Sequence, residues 1–310
     1  EAVLEELDVK RALWAEVEQH VPEDTLLLTN TSSLSVADMQ KGARPPGRIA
    51  GMHFFNPAPK MPLVEIVAGK KTSAHAVQVA TALAVRWGKF PVVTADSPGF
   101  LVNRCLMPYM AAALRLLEVG QKVAHVDGAL KNFGMPMGAF ELADNVGLDI
   151  CMHVGTHLGD AFGERFTMPA WFVRMVRDGL LGAKSGSGFF TYDGKKKQGV
   201  NDGLSRYLPA QPDEAAGTDA NIGTGDAAMT DAEIVDACLI PMLLEALACL
   251  HEKVVEDAGH LDAAMVYGIG FPPFRGGLLH YFAQVKKAEL RKRIDALGLE
   301  IPKNFEVIYE

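Results

Sequence analysis

Cysteine is scarce in this chain: four in 310 residues, Cys105, Cys151, Cys238 and Cys249. None has metal-ligand spacing, and each sits in apolar helical surroundings. They read as small core residues of a reduced compartment, which excludes a disulfide framework and a cysteine-bound metal. Basic tracts are also missing. The 38 acidic residues outnumber the 30 basic ones for a net charge of −8, so nothing suggests nucleic acid. Lys195-Lys196-Lys197 lies among Gly, Asp and Gln and reads as a solvated loop. No signal peptide is expected ahead of Glu1. The longest apolar stretch, residues 238–250, is interrupted by Pro241 and Glu245 and is too short to span a bilayer. A cytoplasmic protein with no transmembrane segment is expected.

What is present is an alternation of strands and helices over the first third, followed by helices. The length allows two domains and a sizeable core. Glu1-Ala2-Val3-Leu4 reads as the tail of a strand. Asp8 can cap a helix through Val9, Leu13 and Val17 that ends before Pro22. A strand follows over Thr25–Thr29, a polar turn over Asn30-Thr31-Ser32-Ser33, and a helix capped by Ser35. Thr72 or Ser73 starts a helix that stops at Gly88, and Phe90–Thr94 is a strand. This alternation predicts a parallel α/β sheet with helices on its faces. Pro98 suits the first turn of a long apolar helix over Leu101–Gly120. Residues 193–228, rich in Gly, Asp, Ala and Lys, read as a linker. Thr230-Asp231-Ala232-Glu233 is a capping box that opens a further helix.

That helix reveals an internal repeat. Val102-Asn103-Arg104-Cys105-Leu106-Met107-Pro108 aligns with Val235-Asp236-Ala237-Cys238-Leu239-Ile240-Pro241, keeping the cysteine and the mid-helix proline. Residues 133–138 loosely match residues 270–276. Two copies of one helical unit can bury faces that neither hides alone.

The chemistry centres on two short strands, residues 49–55 and 63–68. Each is apolar apart from one residue, His53 in the first and Glu65 in the second. Asn56-Pro57-Ala58-Pro59 between them forces a turn. If the strands fold back about residue 59, His53 faces Glu65 across an apolar sheet. Such a pair can hold one imidazole tautomer and stabilise its protonated form, as a general base requires. The plain alternative is a core histidine satisfied by a neighbouring acid.

With Glu65, the run His53-Phe54-Phe55-Asn56-Pro57 resembles the catalytic segment of the L-3-hydroxyacyl-CoA dehydrogenases. More specifically, it is similar to the dehydrogenase part of the multifunctional fatty-acid oxidation proteins. Further matches follow in the same order: Glu1-Ala2-Val3-Leu4-Glu5, Asn30-Thr31-Ser32-Ser33, Ser97-Pro98-Gly99-Phe100-Leu101-Val102-Asn103-Arg104, and Gly268-Ile269-Gly270-Phe271-Pro272-Pro273-Phe274. No G-x-G-x-x-G turn opens a helix anywhere in the chain, although a dinucleotide-binding sheet carries one at its first turn. The resemblance therefore implies a chain that begins partway through the family's Rossmann domain, with an enoyl-CoA hydratase portion upstream.

The fold class it implies is α/β then all-α: a partial Rossmann-type parallel sheet, then two repeated helical domains. Residues 1–95 would be the C-terminal half of the NAD-binding domain, 96–192 the first helical domain, 193–228 the linker and 229–310 the second helical domain. The implied activity is NAD-dependent oxidation of L-3-hydroxyacyl-CoA to 3-ketoacyl-CoA in fatty-acid β-oxidation, with an acyl-CoA substrate. A thiolase subunit in the intact complex is left open as a partner. Self-association through the sheet edge that truncation exposes is a further expectation.

By resemblance His53 is the base, Glu65 its partner, and Ser32 and Asn103 contact the substrate oxygen, while Glu5, Lys10 and Asn56 touch the nicotinamide-ribose end. Without the family, Ser32 is a turn serine, Asn103 a helix-interior amide, Glu5 a helix-start acid and Lys10 a solvated lysine. The rival is a non-catalytic module that binds acyl-CoA or a partner subunit without NAD.

Overall fold

The computed structural model describes residues 1–209 and 229–309, so residues 210–228 of the expected linker lie outside the described residues. The chain divides into two compact units. One gathers Glu1–Cys105, Leu244–Leu290 and Ile301–Glu310; the other holds Leu106–Leu243 and Arg291–Glu300.

In the first unit, α1 (Leu7–Val17) precedes β1 (Leu27–Thr29). Ahead of α1, the amino group of Glu1 donates to Leu28 O at 2.7 Å and its carbonyl accepts from Asn30 N at 2.9 Å. The strand-like tail expected there is thus held along β1. Asp8 does not cap α1. The capping position is Glu6, and Asp8 sits inside the first turn, 3.6 Å from Arg11. The chain continues through α2 (Val36–Met39), β2 (Ile49–Phe54), β3 (Leu63–Ala68), α3 (Ala74–Arg86) and β4 (Phe90–Ala95). Ser35 and Ser73 accept from backbone amides three residues on, as caps do.

The four strands lie in the order β1-β2-β3-β4. The sheet is mixed, not wholly parallel: β1–β2 and β3–β4 are parallel, whereas β2–β3 is antiparallel. The connection through Pro57 and Pro59 is too short for the crossover that a parallel pair needs. Alternation along the strands sends residues to two cores. Trp14, Leu27, Val36, Ile49, Val67 and Phe100 pack on one face, and Met52, Val64, Ile66, Ala80 and Ala84 on the other. Gly51 faces Val67 so closely that a Cβ there would stand 2.7 Å from Val67 Cβ.

Pro98 lies in a turn ahead of α4 (Val102–Glu118), not in the helix's first turn as expected. The turn places Gly99 and Phe100 at φ 72° and 52°. Next come α5 (Val123–Phe133), α6 (Ala139–Val146), α7 (Leu148–Phe162) and α8 (Ala170–Arg177), then a hairpin of β5 (Phe190–Asp193) and β6 (Lys196–Val200). Residues 193–208 are therefore not linker. β6 pairs with β5, and a 3-10 turn over Asp202–Arg206 leads to Tyr207, with Leu204 and Tyr207 buried. Lys197, expected in a solvated loop, ion-pairs with Glu141 and lies 4.6 Å over the Phe190 ring.

The chain ends with α9 (Asp231–His251), α10 (Ala258–Ile269), α11 (Leu278–Ala283) and α12 (Lys287–Ala296). The capping box forms, with Thr230 and Glu233 bonded reciprocally. Pro241 does not interrupt α9, which runs for 21 residues. By length and composition α9 could cross a membrane, but 67% of its apolar window is buried within the protein, as in a core helix.

The repeat is visible in detail. Pro108 lies inside α4 and Pro241 inside α9. Gly134 and Gly270 end α5 and α10 in the left-handed region. Asp127 of α5 accepts from the amides of Phe140 and Glu141 at 2.9 and 3.0 Å; Asp262 of α10 accepts from those of Leu279 and His280 at 2.7 and 3.0 Å. Each copy, counted from α4 or α9, thus starts its third helix on an aspartate of its second.

Candidate active site

The β2–β3 register sets His53 directly opposite Glu65, as a turn centred on residue 59 predicts. His53 Nδ1 lies 2.7 Å from Glu65 Oε2. The carboxylate is fully buried and the imidazole 8% exposed. The other carboxylate oxygen, Oε1, accepts from Leu101 N and Val102 N, both at 3.0 Å. The start of the 17-residue helix α4 thus supplies positive partial charge to the glutamate. Two aromatic rings flank the imidazole, Phe55 at 4.7 Å and Phe100 at 5.7 Å between centroids. Because Nδ1 faces the carboxylate, it carries the proton, and Nε2 is left with the lone pair.

Ser32 follows β1 at its carboxyl end, where open α/β sheets place ligands. Asn103, in the first turn of α4, donates from Nδ2 to Ser32 O at 3.3 Å, which brings the two sequence-predicted contact residues together. The Thr31–Ser33 turn is organised by Glu5. Its Oε1 accepts from Thr31 Oγ1 at 2.6 Å, Ser32 N at 2.9 Å and Ser33 N at 3.2 Å. Burial opposes charge on this carboxyl, but the bonds from Thr31 and Ser32 and the nearby Lys10 ammonium prevail, and its pKa falls below the ordinary glutamate value.

Lys10 is not solvated. It is 1% exposed, with Nζ 3.0 Å from Glu1 Oε2 and 3.2 Å from Glu5 Oε2. Asn56 lies exposed just past β2. The amide of Phe54, at the end of β2, donates to Asn30 Oδ1 at 2.9 Å.

Three contributors were not singled out from sequence. Phe100 has no periodicity to mark it, because it sits in a left-handed turn. Asn30 appeared only as part of a polar turn. Asp96, after β4, accepts from Ser35 Oγ, Val36 N and Ala37 N at 2.7–3.0 Å and so ties the start of α2 to the sheet. An acid just past a strand, opposite a capping serine, was the available signal.

The family model described as "3-hydroxyacyl-CoA dehydrogenase, NAD binding domain" matches residues 1–97, and that described as "3-hydroxyacyl-CoA dehydrogenase, C-terminal domain" matches residues 99–192. The fatty acid oxidation complex subunit alpha of Vibrio parahaemolyticus is 38% identical over 295 residues, which is 95% of this chain and 40% of that protein's length. This chain thus spans well under half of that relative. Among solved structures, 3-hydroxybutyryl-CoA dehydrogenase from Escherichia coli matches with a TM-score of 0.76 and 28% identity, covering 98% of this chain and 78% of that one. (S)-3-hydroxybutyryl-CoA dehydrogenase from Ralstonia eutropha matches at 34% identity and a TM-score of 0.59, over 62% of this chain and 69% of its own. With both of the family's domains matched in order, the chain belongs to the 3-hydroxyacyl-CoA dehydrogenase family.

Proposed function

We propose that this chain is the dehydrogenase portion of a multifunctional fatty-acid oxidation protein, interconverting L-3-hydroxyacyl-CoA and 3-ketoacyl-CoA with NAD. The observation that carries the reading is the buried His53–Glu65 pair, at 2.7 Å and with the second glutamate oxygen held by two backbone amides. Glu65 fixes the proton on Nδ1, so Nε2 takes the substrate hydroxyl proton, and the imidazolium formed lies against the carboxylate. Ser32 and Asn103 donate to the substrate oxygen as charge develops on it. When bound, NAD supplies the hydride acceptor. Glu5, with its side chain 29% exposed at the carboxyl end of β1, and exposed Asn56 suit the nicotinamide-ribose end. Lys10, 3.2 Å from Glu5 Oε2, serves the same end by orienting that carboxylate.

The site-bearing helical domain starts at residue 96 and takes in the β5–β6 hairpin and the turn to Tyr207, and residues 229–310 form its repeat. The cytoplasm is the proposed location, on the composition and the four buried free thiols. A thiolase subunit is proposed as partner, because the Vibrio relative is a subunit of a fatty acid oxidation complex.

The test is NADH absorbance loss with acetoacetyl-CoA, run beside calorimetry for CoA-ester binding. Turnover is expected. Binding with no oxidation would reject the reading in favour of a binding module.

A further inference from the structure

One turn carries much of this site. Residues 97–104 bring the amides of Leu101 and Val102 to Glu65, the Phe100 ring to His53, and the Asn103 amide to Ser32 O. The turn ends in Arg104, which is fully buried. Its Nε donates to Glu245 Oε1 at 2.7 Å; its Nη1 donates to Glu252 Oε2 at 2.7 Å and to Ser97 Oγ at 3.1 Å. Ser97 begins the turn, so the guanidinium closes it upon itself while two acids anchor it from outside. All of these residues lie in the first compact unit. A buried charge is retained only where its geometry is fixed by several bonds at once, and a planar guanidinium fork fixes direction as well as distance.

The alignment of the repeats makes the arrangement one-sided. Arg104 aligns with Ala237, and the same offset sets Glu245 and Glu252 against Ala112 and Val119. One copy carries the arginine and the other both acids. The second copy's counterpart of Asn103 is Asp236, which faces Arg293 at 3.4 Å.

We propose that Arg104, held by Glu245 and Glu252, is a positioning residue for the dehydrogenase reaction. The second helical copy then serves the site of the first by fixing the 97–104 turn, so that Glu65 meets its two amides and keeps the imidazole in its productive tautomer. The inference rests on the dehydrogenase reading above.

The test uses the full chain with Glu252→Leu, Glu252→Gln and Ser97→Ala. The Glu252 side chain is 43% exposed, so these changes leave the fold's interior filled. Amide hydrogen exchange at Leu101 and Val102 is measured together with kcat, KM for the CoA ester and the unfolding temperature. Glu252→Leu is expected to speed exchange at those two amides and lower kcat, each by about tenfold, with KM unchanged. Glu252→Gln, which keeps an acceptor, restores most of both, and Ser97→Ala shifts both in the same direction as Glu252→Leu. Unchanged exchange at the two amides in folded Glu252→Leu and Ser97→Ala overturns the proposal. So does a kcat loss that merely tracks the unfolding temperature without rescue by Glu252→Gln. A wild-type chain with no turnover rejects the dehydrogenase reading instead, and the exchange data still decide whether Arg104 holds the turn.

Discussion

Replacing Glu65 by glutamine separates the chemical role of the pair from its structural one. The carboxylate takes three bonds, from Leu101 N and Val102 N on one oxygen and from His53 Nδ1 on the other. In Glu65→Gln the amide oxygen can keep both backbone donors, so the start of α4 stays satisfied. The NH2 group must then face Nδ1 at a position where the ring donated before. A donor there forces Nδ1 to accept and moves the ring proton to Nε2, the nitrogen that takes the substrate proton in the proposed reaction. The expected loss in turnover is the general-base contribution of about 10²–10⁴, and asparagine replacement in the serine-protease triad, at about 10⁴, marks its upper end. Stability falls by about 1–3 kcal/mol, since all three charge-assisted bonds become neutral ones. Glu65→Ala is less informative, because it leaves two buried amides without an acceptor at about 1–3 kcal/mol each. The assay is NADH turnover with acetoacetyl-CoA, with guanidinium unfolding as the control. A well-folded Glu65→Gln protein with wild-type turnover refutes the tautomer argument.

Burial pushes the carboxyls of Asp127 and Asp144 up to about 6, against an ordinary value of 3.8, with backbone amides from Phe140 and Phe190 opposing the rise. A raised folded-state pKa contributes stability below the unfolded value that is lost as pH climbs through the folded one. Lowering pH from 7 to 5 should therefore stabilise the second unit, by roughly 1 kcal/mol per group. Glu1 and Glu5, held below 4.5, act in the opposite sense and only at lower pH. Thermal unfolding across pH 5–7 checks this; a flat or falling unfolding temperature towards pH 5 contradicts it. Gly138→Ala and Gly277→Ala test the repeated capping aspartates. A Cβ would stand 2.1 Å from Asp127 Cγ in one copy and 2.3 Å from Asp262 Cγ in the other. Each should lower stability by about 1–3 kcal/mol in denaturant titrations, Gly277 the more because its φ is 126°. No loss in either variant means the acids cap more loosely than described.

The parts of this fold that were readable in advance were those fixed locally. Two prolines between two apolar runs determined a turn, and the turn determined that His53 meets Glu65. Ser35, Ser73 and the Thr230–Glu233 box stood where a short side chain can reach a free amide. The repeat survived as a cysteine and a proline at matched spacing in α4 and α9. What escaped depended on partners distant in sequence or on charge placed against expectation. Lys10 looked solvated because nothing in its neighbourhood shows that Glu1 and Glu5 enclose it. The acidic partners Glu245 and Glu252 of Arg104 lie 141 and 148 residues away. The β6 strand is lysine-rich and exposed, so it has no hydrophobic alternation, and it read as linker. Pro98 suited a helix start, but the helix begins only where Glu65 collects the Leu101 and Val102 amides.

The central claim is that the His53 imidazole removes the substrate proton, and His53→Gln tests it most directly. The variant keeps a polar side chain in the buried slot but has no titrating nitrogen. Turnover should fall by several orders of magnitude while calorimetry still records CoA-ester binding. Near-wild-type turnover in the folded variant would show that the proton leaves by another route.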